Sequence, residues 1–169
     1  PPVPQNMNFA TLRLIDANAN RAREALRVVE DYARFHLNDQ PLSADLKSLR
    51  HDLAAALSPL LPEAILHRDT PNDVGTANKT PSELHRTDLA DVVTAAGKRL
   101  GEAIRALEEY AKVLDPAASA RLESLRYRFY YLELRTARTL RPASRFSHVK
   151  LCVLITESAC KLPWLDAAR

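Results

Sequence analysis

With 169 residues, 46% of them hydrophobic, 27% charged and only 3 glycines, the chain has the make-up of one compact soluble domain and excludes a disordered or collagen-like one. Net charge is +3, but acidic residues are interleaved with the basic ones throughout, so nucleic acid is not an expected partner. No apolar run approaches the roughly 18 residues of a membrane span and no signal-peptide blocks open the chain, so no membrane partner is expected either.

Residues 1–11, which begin with Pro1 rather than Met, read as a flexible leader, and residues 12–141 as a helical domain. From Leu12 to Leu37 the apolar residues Ile15, Ala22, Ala25, Leu26, Val29 and Ala33 share one face of a 3.6-residue period, which predicts a helix. Asn38-Asp39-Gln40-Pro41 breaks it. Leu46, Leu49, Leu53 and Leu57 then set a second stripe that ends near Ser58-Pro59.

Residues 58–86 form a Pro-rich crossover loop, in which Thr80-Pro81-Ser82-Glu83 has the form of a capping box that starts a short helix. A third helix is predicted from Thr87, as N-cap, to Leu114. It breaks at Asp115-Pro116, and a fourth runs to about Leu140 on the stripe Leu122, Leu125, Phe129 and Leu132. Beyond Arg141-Pro142 the character changes. Val149 to Thr156 is β-branched and apolar and Leu162 to Arg169 begins another helix, so residues 142–169 read as a linker and the strand-helix opening of a truncated α/β domain.

The helices are related by an internal repeat. Residues 21–34, RAREALRVVEDYAR, align with residues 99–112, RLGEAIRALEEYAK, with seven of fourteen positions identical at an offset of 78. Leu46-Lys47-Ser48-Leu49-Arg50 aligns with Leu122-Glu123-Ser124-Leu125-Arg126 at an offset of 76, so only the turn changes length. One helical hairpin thus occurs twice, as repeat one (12–57) and repeat two (87–140). The expected fold is all-α, a four-helix bundle with pseudo-twofold symmetry, because neither hairpin can bury its apolar face alone. Gly97 and Gly101, at GxxxG spacing, would allow close approach of another helix.

Much familiar chemistry is excluded. Three glycines cannot build a Walker loop or a GxGxxG turn. His36, His51, His67, His85 and His148 make no HxxH or HxxxH pair, and Cys152 and Cys160 have no CxxC partner, which leaves a reduced, cytoplasmic-type chain. Asp16-Ala17-Asn18-Ala19-Asn20 imitates half an EF-hand, but Arg21 and Arg27 stand where Gly and the closing Glu belong. Glu-x-x-His is missing, against a carboxylate-bridged metal pair.

Two candidates remain. Asp16, Asn20, Glu24, Arg27 and Asp31 line a polar face of helix one, matched by Lys98, Glu102, Arg105 and Glu109 in the second copy. Such a face ordinarily carries solvated i,i+3 and i,i+4 pairs. Glu24 and Arg27 nonetheless recur as Glu102 and Arg105, as a shared cleft or subunit interface would require. Asn18 points toward the apolar side and reads as a satisfied buried amide. The second candidate, Arg68 to Thr76, gathers a guanidinium, two carboxylates, two hydroxyls and a turn at Gly75, and is either a phosphate and divalent-cation site or a crossover whose polar side chains satisfy its own backbone. The last helix interleaves Arg121, Arg126, Arg128 and Arg135 with Tyr127, Tyr130 and Tyr131, which core packing explains more readily than RNA binding.

The segments IDANANRAREALRVVEDYARF, RDTPNDVGT, EAIRALEEYAK and LRYRFYYLE resemble the domain found ahead of the synthase in some thiamine-phosphate synthases, and VKLCVLITE resembles the first strand of the synthase barrel. The resemblance implies thiamine biosynthesis: synthase (transferase) activity for the longer chain, and for this domain phosphorylation of hydroxymethylpyrimidine phosphate to the diphosphate, with ATP as co-substrate and Mg²⁺. The alternative is a non-catalytic dimerisation or regulatory module of the synthase. On the kinase reading, Asp69 or Asp73 holds the metal and Arg68, Thr70 and Thr76 hold phosphate. Arg27 or Arg105 then stabilises the transferred group, and Gly75, Asn20, Glu24 and Glu102 are further substrate contacts. The expected partners are the pyrimidine phosphate, the synthase domain and a second copy in a homodimer.

Overall fold

The structure, a computed structural model, describes residues 5–75 and 85–140. The described residues are all-helical: α1 (Gln5–Asp31) runs on into a π-helical turn (Tyr32–His36), and α2 (Gln40–Leu57) follows. Next come the single turn α3 (Leu61–Ala64) with a 3₁₀ turn (Ile65–His67), then α4 (Leu89–Leu114) and α5 (Pro116–Leu140). The strand and helix expected after residue 142, the capping box at Thr80 and both cysteines lie outside the described residues.

Helix one starts earlier than its apolar period indicates. The expected leader is helical from Gln5, because neither proline nor glycine interrupts residues 5–37. The first hairpin turns at Asn38, whose φ of 52° is the left-handed conformation asparagine tolerates. Asp39 then caps α2 by accepting from the Leu42 N–H at 2.9 Å, with Pro41 in the first turn. In the second hairpin Asp115 does the same for α5, accepting from Ala117 and Ala118 at 2.9 and 3.0 Å. The change of offset from 78 to 76 therefore falls on Leu37 and Asn38, beside the π-helical turn. For α4 the cap is Asp88 rather than Thr87. Its carboxylate accepts from the Asp91 N–H at 2.7 Å while Asp91 accepts from the Thr87 N–H at 3.2 Å, a reciprocal box that the neighbouring aspartate completes.

All four long helices contribute to one core. Ile15, Leu26, Leu46, Leu53, Leu100, Ile104, Leu122 and Phe129 are fully buried in it. The α1 and α4 helices pack most extensively on one another, α5 lies against α4 and α2, and α3 with its 3₁₀ turn folds back on α1. That last contact positions the crossover segment. Gly97 and Gly101 are not close-approach points: a Cβ on either would meet Glu133 or Phe129 at 3.6 Å, ordinary van der Waals contact.

Candidate functional site

Asp16 sits on the polar stripe of α1 but is only 5% exposed. A carboxylate that deep needs a partner, and the partner comes from 52 residues away. Arg68, just after the 3₁₀ turn, donates from Nε to Oδ2 and from Nη2 to Oδ1, both at 2.7 Å. This two-pronged match fixes the start of the crossover against the amino-terminal half of α1. The hydrogen bond and charge of Asp16 hold the Arg68 guanidinium above its already high ordinary pKa, so it remains a cation throughout.

Behind that pin lies a cleft of about 520 Å³ lined by Arg13, Asp16, Asn18, Asn20 and Arg21 from α1 and by Arg68, Asp69, Thr70 and Asp73 from the crossover. Its floor is internally satisfied: Asn18 Nδ2 donates to the Leu14 carbonyl at 2.8 Å, as expected of a buried amide. Asn20 Oδ1 accepts from Arg23. On the crossover side, Asp69 accepts from Asn72 Nδ2 at 3.0 and 3.1 Å, and Asp73 Oδ1 accepts from the Gly75 N–H at 2.8 Å, so both aspartates are held by local turns. Arg13 and Arg21 are exposed and have no ion-pair partner among the described residues.

The cleft brings together Asn20, Arg68, Asp69, Thr70 and Asp73, while Gly75 does not line it and bonds to Asp73, and the other expected residues lie elsewhere. Two nitrogens of Arg68 are already engaged by Asp16, so it serves first to position the segment. Thr76 lies outside the described residues. Glu24 and Glu102 are exposed, and neither they nor Arg27 and Arg105 line the cleft.

Those two arginines have a visible task. Arg27 Nη1 lies 3.6 Å from Glu30, which also accepts from Arg50 Nε at 2.8 Å. In the second copy Arg105 pairs with Glu108, which accepts from Arg126 Nε at 2.6 Å. Glu30 and Glu108 are 4% and 3% exposed and occupy the same place in the repeat, as do Arg50 and Arg126. The buried glutamates did not figure in the polar stripes because they stand on the apolar side. The available signal was a charge recurring unchanged between apolar positions in both copies.

No group of three or more His, Cys, Asp or Glu suited to a metal occurs among the described residues. Asp69 and Asp73 suit a different kind of cation. Mg²⁺ takes one or two carboxylates and completes its shell with water and phosphate oxygens, and two carboxylates with two unpaired arginines in one cleft fit a phosphate-borne ion of that type.

The sequence matches the ThiD2 family over residues 13–135. The chain belongs to the ThiD2 family. The match takes in most of both hairpins and every cleft residue named above. This ThiD2 chain is similar to curated thiamine-phosphate synthases. It is 46% identical over 149 residues to that of Rhodopirellula baltica, covering 85% of the chain and 40% of the relative. It is 48% identical over 124 residues to that of Synechocystis sp., covering 73% and 35%. With that of Prochlorococcus marinus it shares 36% over 170 residues, covering 99% and 47%. The chain therefore spans less than half the length of these relatives, and the resemblance read from its motifs holds: it is a ThiD2 domain of the kind thiamine-phosphate synthases carry. No solved structure matches it. No described helix is long and apolar enough to cross a membrane.

Proposed function

We propose that this chain is the amino-terminal domain of a thiamine-phosphate synthase, acts in thiamine biosynthesis, and itself phosphorylates hydroxymethylpyrimidine phosphate with ATP and Mg²⁺. The longer chain would then carry the transferase. The carrying observation is the cleft between α1 and the crossover, where cationic and metal-binding side chains converge on a space large enough for phosphate groups. We read the two hairpins as copies related by a pseudo-twofold axis in a four-helix bundle. The matched ion pairs of Glu30 and Glu108 and the matched caps Asp39 and Asp115 support that reading.

The chemistry asks little of the protein beyond placement and charge. The acceptor is a phosphate monoester, whose second pKa near 6 leaves it largely a dianion at neutral pH, so no general base has to remove a proton. One of its oxygens bonds to the terminal phosphorus of ATP while the bond to the ADP oxygen breaks, giving the diphosphate and ADP. The obstacle is repulsion between two polyanions, which positioning and positive charge overcome. Arg13 and Arg21 meet the phosphates from α1, Thr70 donates its hydroxyl, and Arg68 keeps the crossover in place. Asp69 and Asp73 would hold Mg²⁺, which supplies neutralising charge to the phosphate oxygens.

Incubation of the chain with ATP, Mg²⁺ and the pyrimidine phosphate, followed by product analysis, tests the reading. Stoichiometric ADP and pyrimidine diphosphate are expected. No turnover in a sensitive coupled assay would leave only a non-catalytic module of the synthase.

A further inference from the structure

The outer face of α5 is aromatic and uncovered, so the core packing expected to explain its tyrosines does not account for them. Tyr127, Tyr130, Tyr131 and Leu134 are 59%, 43%, 63% and 49% exposed, and their spacing of three, one and three puts them on one stripe. The rings are held rather than loose. Arg126, anchored on buried Glu108, stacks 4.4 Å from the Tyr127 ring and 5.5 Å from that of Tyr130, which meet edge to face at 6.0 Å. The repeat supplies a control, since the matching positions are His51, Ala54 and Ala55 of α2 and Ser58 just after it, also exposed. A hairpin of this design does not need aromatic residues there. Ordered tyrosines with little side-chain entropy left to lose are what interface anchors consist of.

The occupant follows from the charges that bracket the stripe. Glu123 lies four residues before Tyr127 and Arg138 four residues after Leu134, on the same exposed face, and neither has an ion-pair partner among the described residues. The pattern is thus balanced about the point between Tyr130 and Tyr131, with opposite charges at its ends. Such a stripe complements a copy of itself when the two helices run antiparallel, whereas a parallel pairing would set like charges together.

We propose that this face joins two copies of the chain, α5 against α5, around a twofold axis between Tyr130 and Tyr131. Glu123 of each copy then meets Arg138 of the other, Tyr127 faces Leu134, and Tyr130 faces Tyr131. Leu134 also rims an apolar cavity of about 290 Å³ lined by Val29, Val93, Phe129 and Leu140, which gives the second copy's Tyr127 a place to insert. This surface is separate from the α1–crossover cleft and does not depend on the proposed phosphoryl transfer.

Sedimentation equilibrium of the ligand-free chain over a range of concentrations tests the proposal. A dimer is expected, weakened about tenfold or more by Tyr131→Glu with helix content by circular dichroism unchanged. Glu123→Arg and Arg138→Glu should each weaken it, and the double exchange E123R/R138E should restore it, which only the antiparallel register allows. A chain monomeric at every concentration overturns the proposal. So does a dimer indifferent to Tyr131→Glu, or one that the double exchange fails to restore.

Discussion

Arg68 pins the crossover to α1 beside the packing of α3 and the Phe9–His67 ring contact, and its removal should be felt along the whole crossover. Arg68→Ala leaves Asp16 buried without its partner and should lower the urea midpoint while speeding amide exchange in residues 61–73. Arg68→Lys should recover little of either, because one ammonium cannot span both carboxylate oxygens. Exchange unchanged in that segment would show the crossover is held by something else. Both residues could be picked out from the sequence, but not their pairing: an apolar period places Asp16 on a polar face, and only the return of α3 onto α1 turns that face inward.

At the scale of the helical hairpins, the buried ion pairs offer a comparison within one molecule. Arg126→Met removes a nearly buried cation from Glu108 and should cost about 3 kcal/mol in denaturant unfolding, at the lower end of the range for such pairs because Arg105 remains. Arg50→Met should cost less, since Arg50 is more open to solvent. Equal costs would contradict the difference in burial. Gly101→Ala should stabilise the chain by about 1 kcal/mol through helix propensity alone, as the added methyl finds only ordinary contacts. A large loss there would instead restore the close-approach role its GxxxG spacing suggests. The hairpins themselves were legible because burial imposes a 3.6-residue period and the duplication states it twice. Their ends were less so: the period says nothing about where a helix begins before its first core residue, as α1 shows, nor about a π-helical turn at Tyr32, which adjusts the entry into Asn38.

For the whole molecule, the central claim is the proposed one, that two repeated hairpins form the scaffold and the crossover outside the repeat supplies the site. Arg68, Asp69, Thr70 and Asp73 were legible as a cluster because they lie within six residues of sequence. Their neighbours Arg13 and Arg21 were not, since they acquire meaning only once the crossover lies beside α1. Conversely, Arg27 and Arg105 drew attention by recurring, and the structure shows them recurring with the glutamates they neutralise. The most direct measurement is the rate of ADP formation in the presence of the pyrimidine phosphate as Mg²⁺ is titrated, for the unaltered chain and for Asp73→Asn. We expect saturable, Mg²⁺-dependent turnover whose apparent metal affinity falls by at least about tenfold in the variant. Turnover with the same Mg²⁺ dependence in both would contradict placing the chemistry in this cleft.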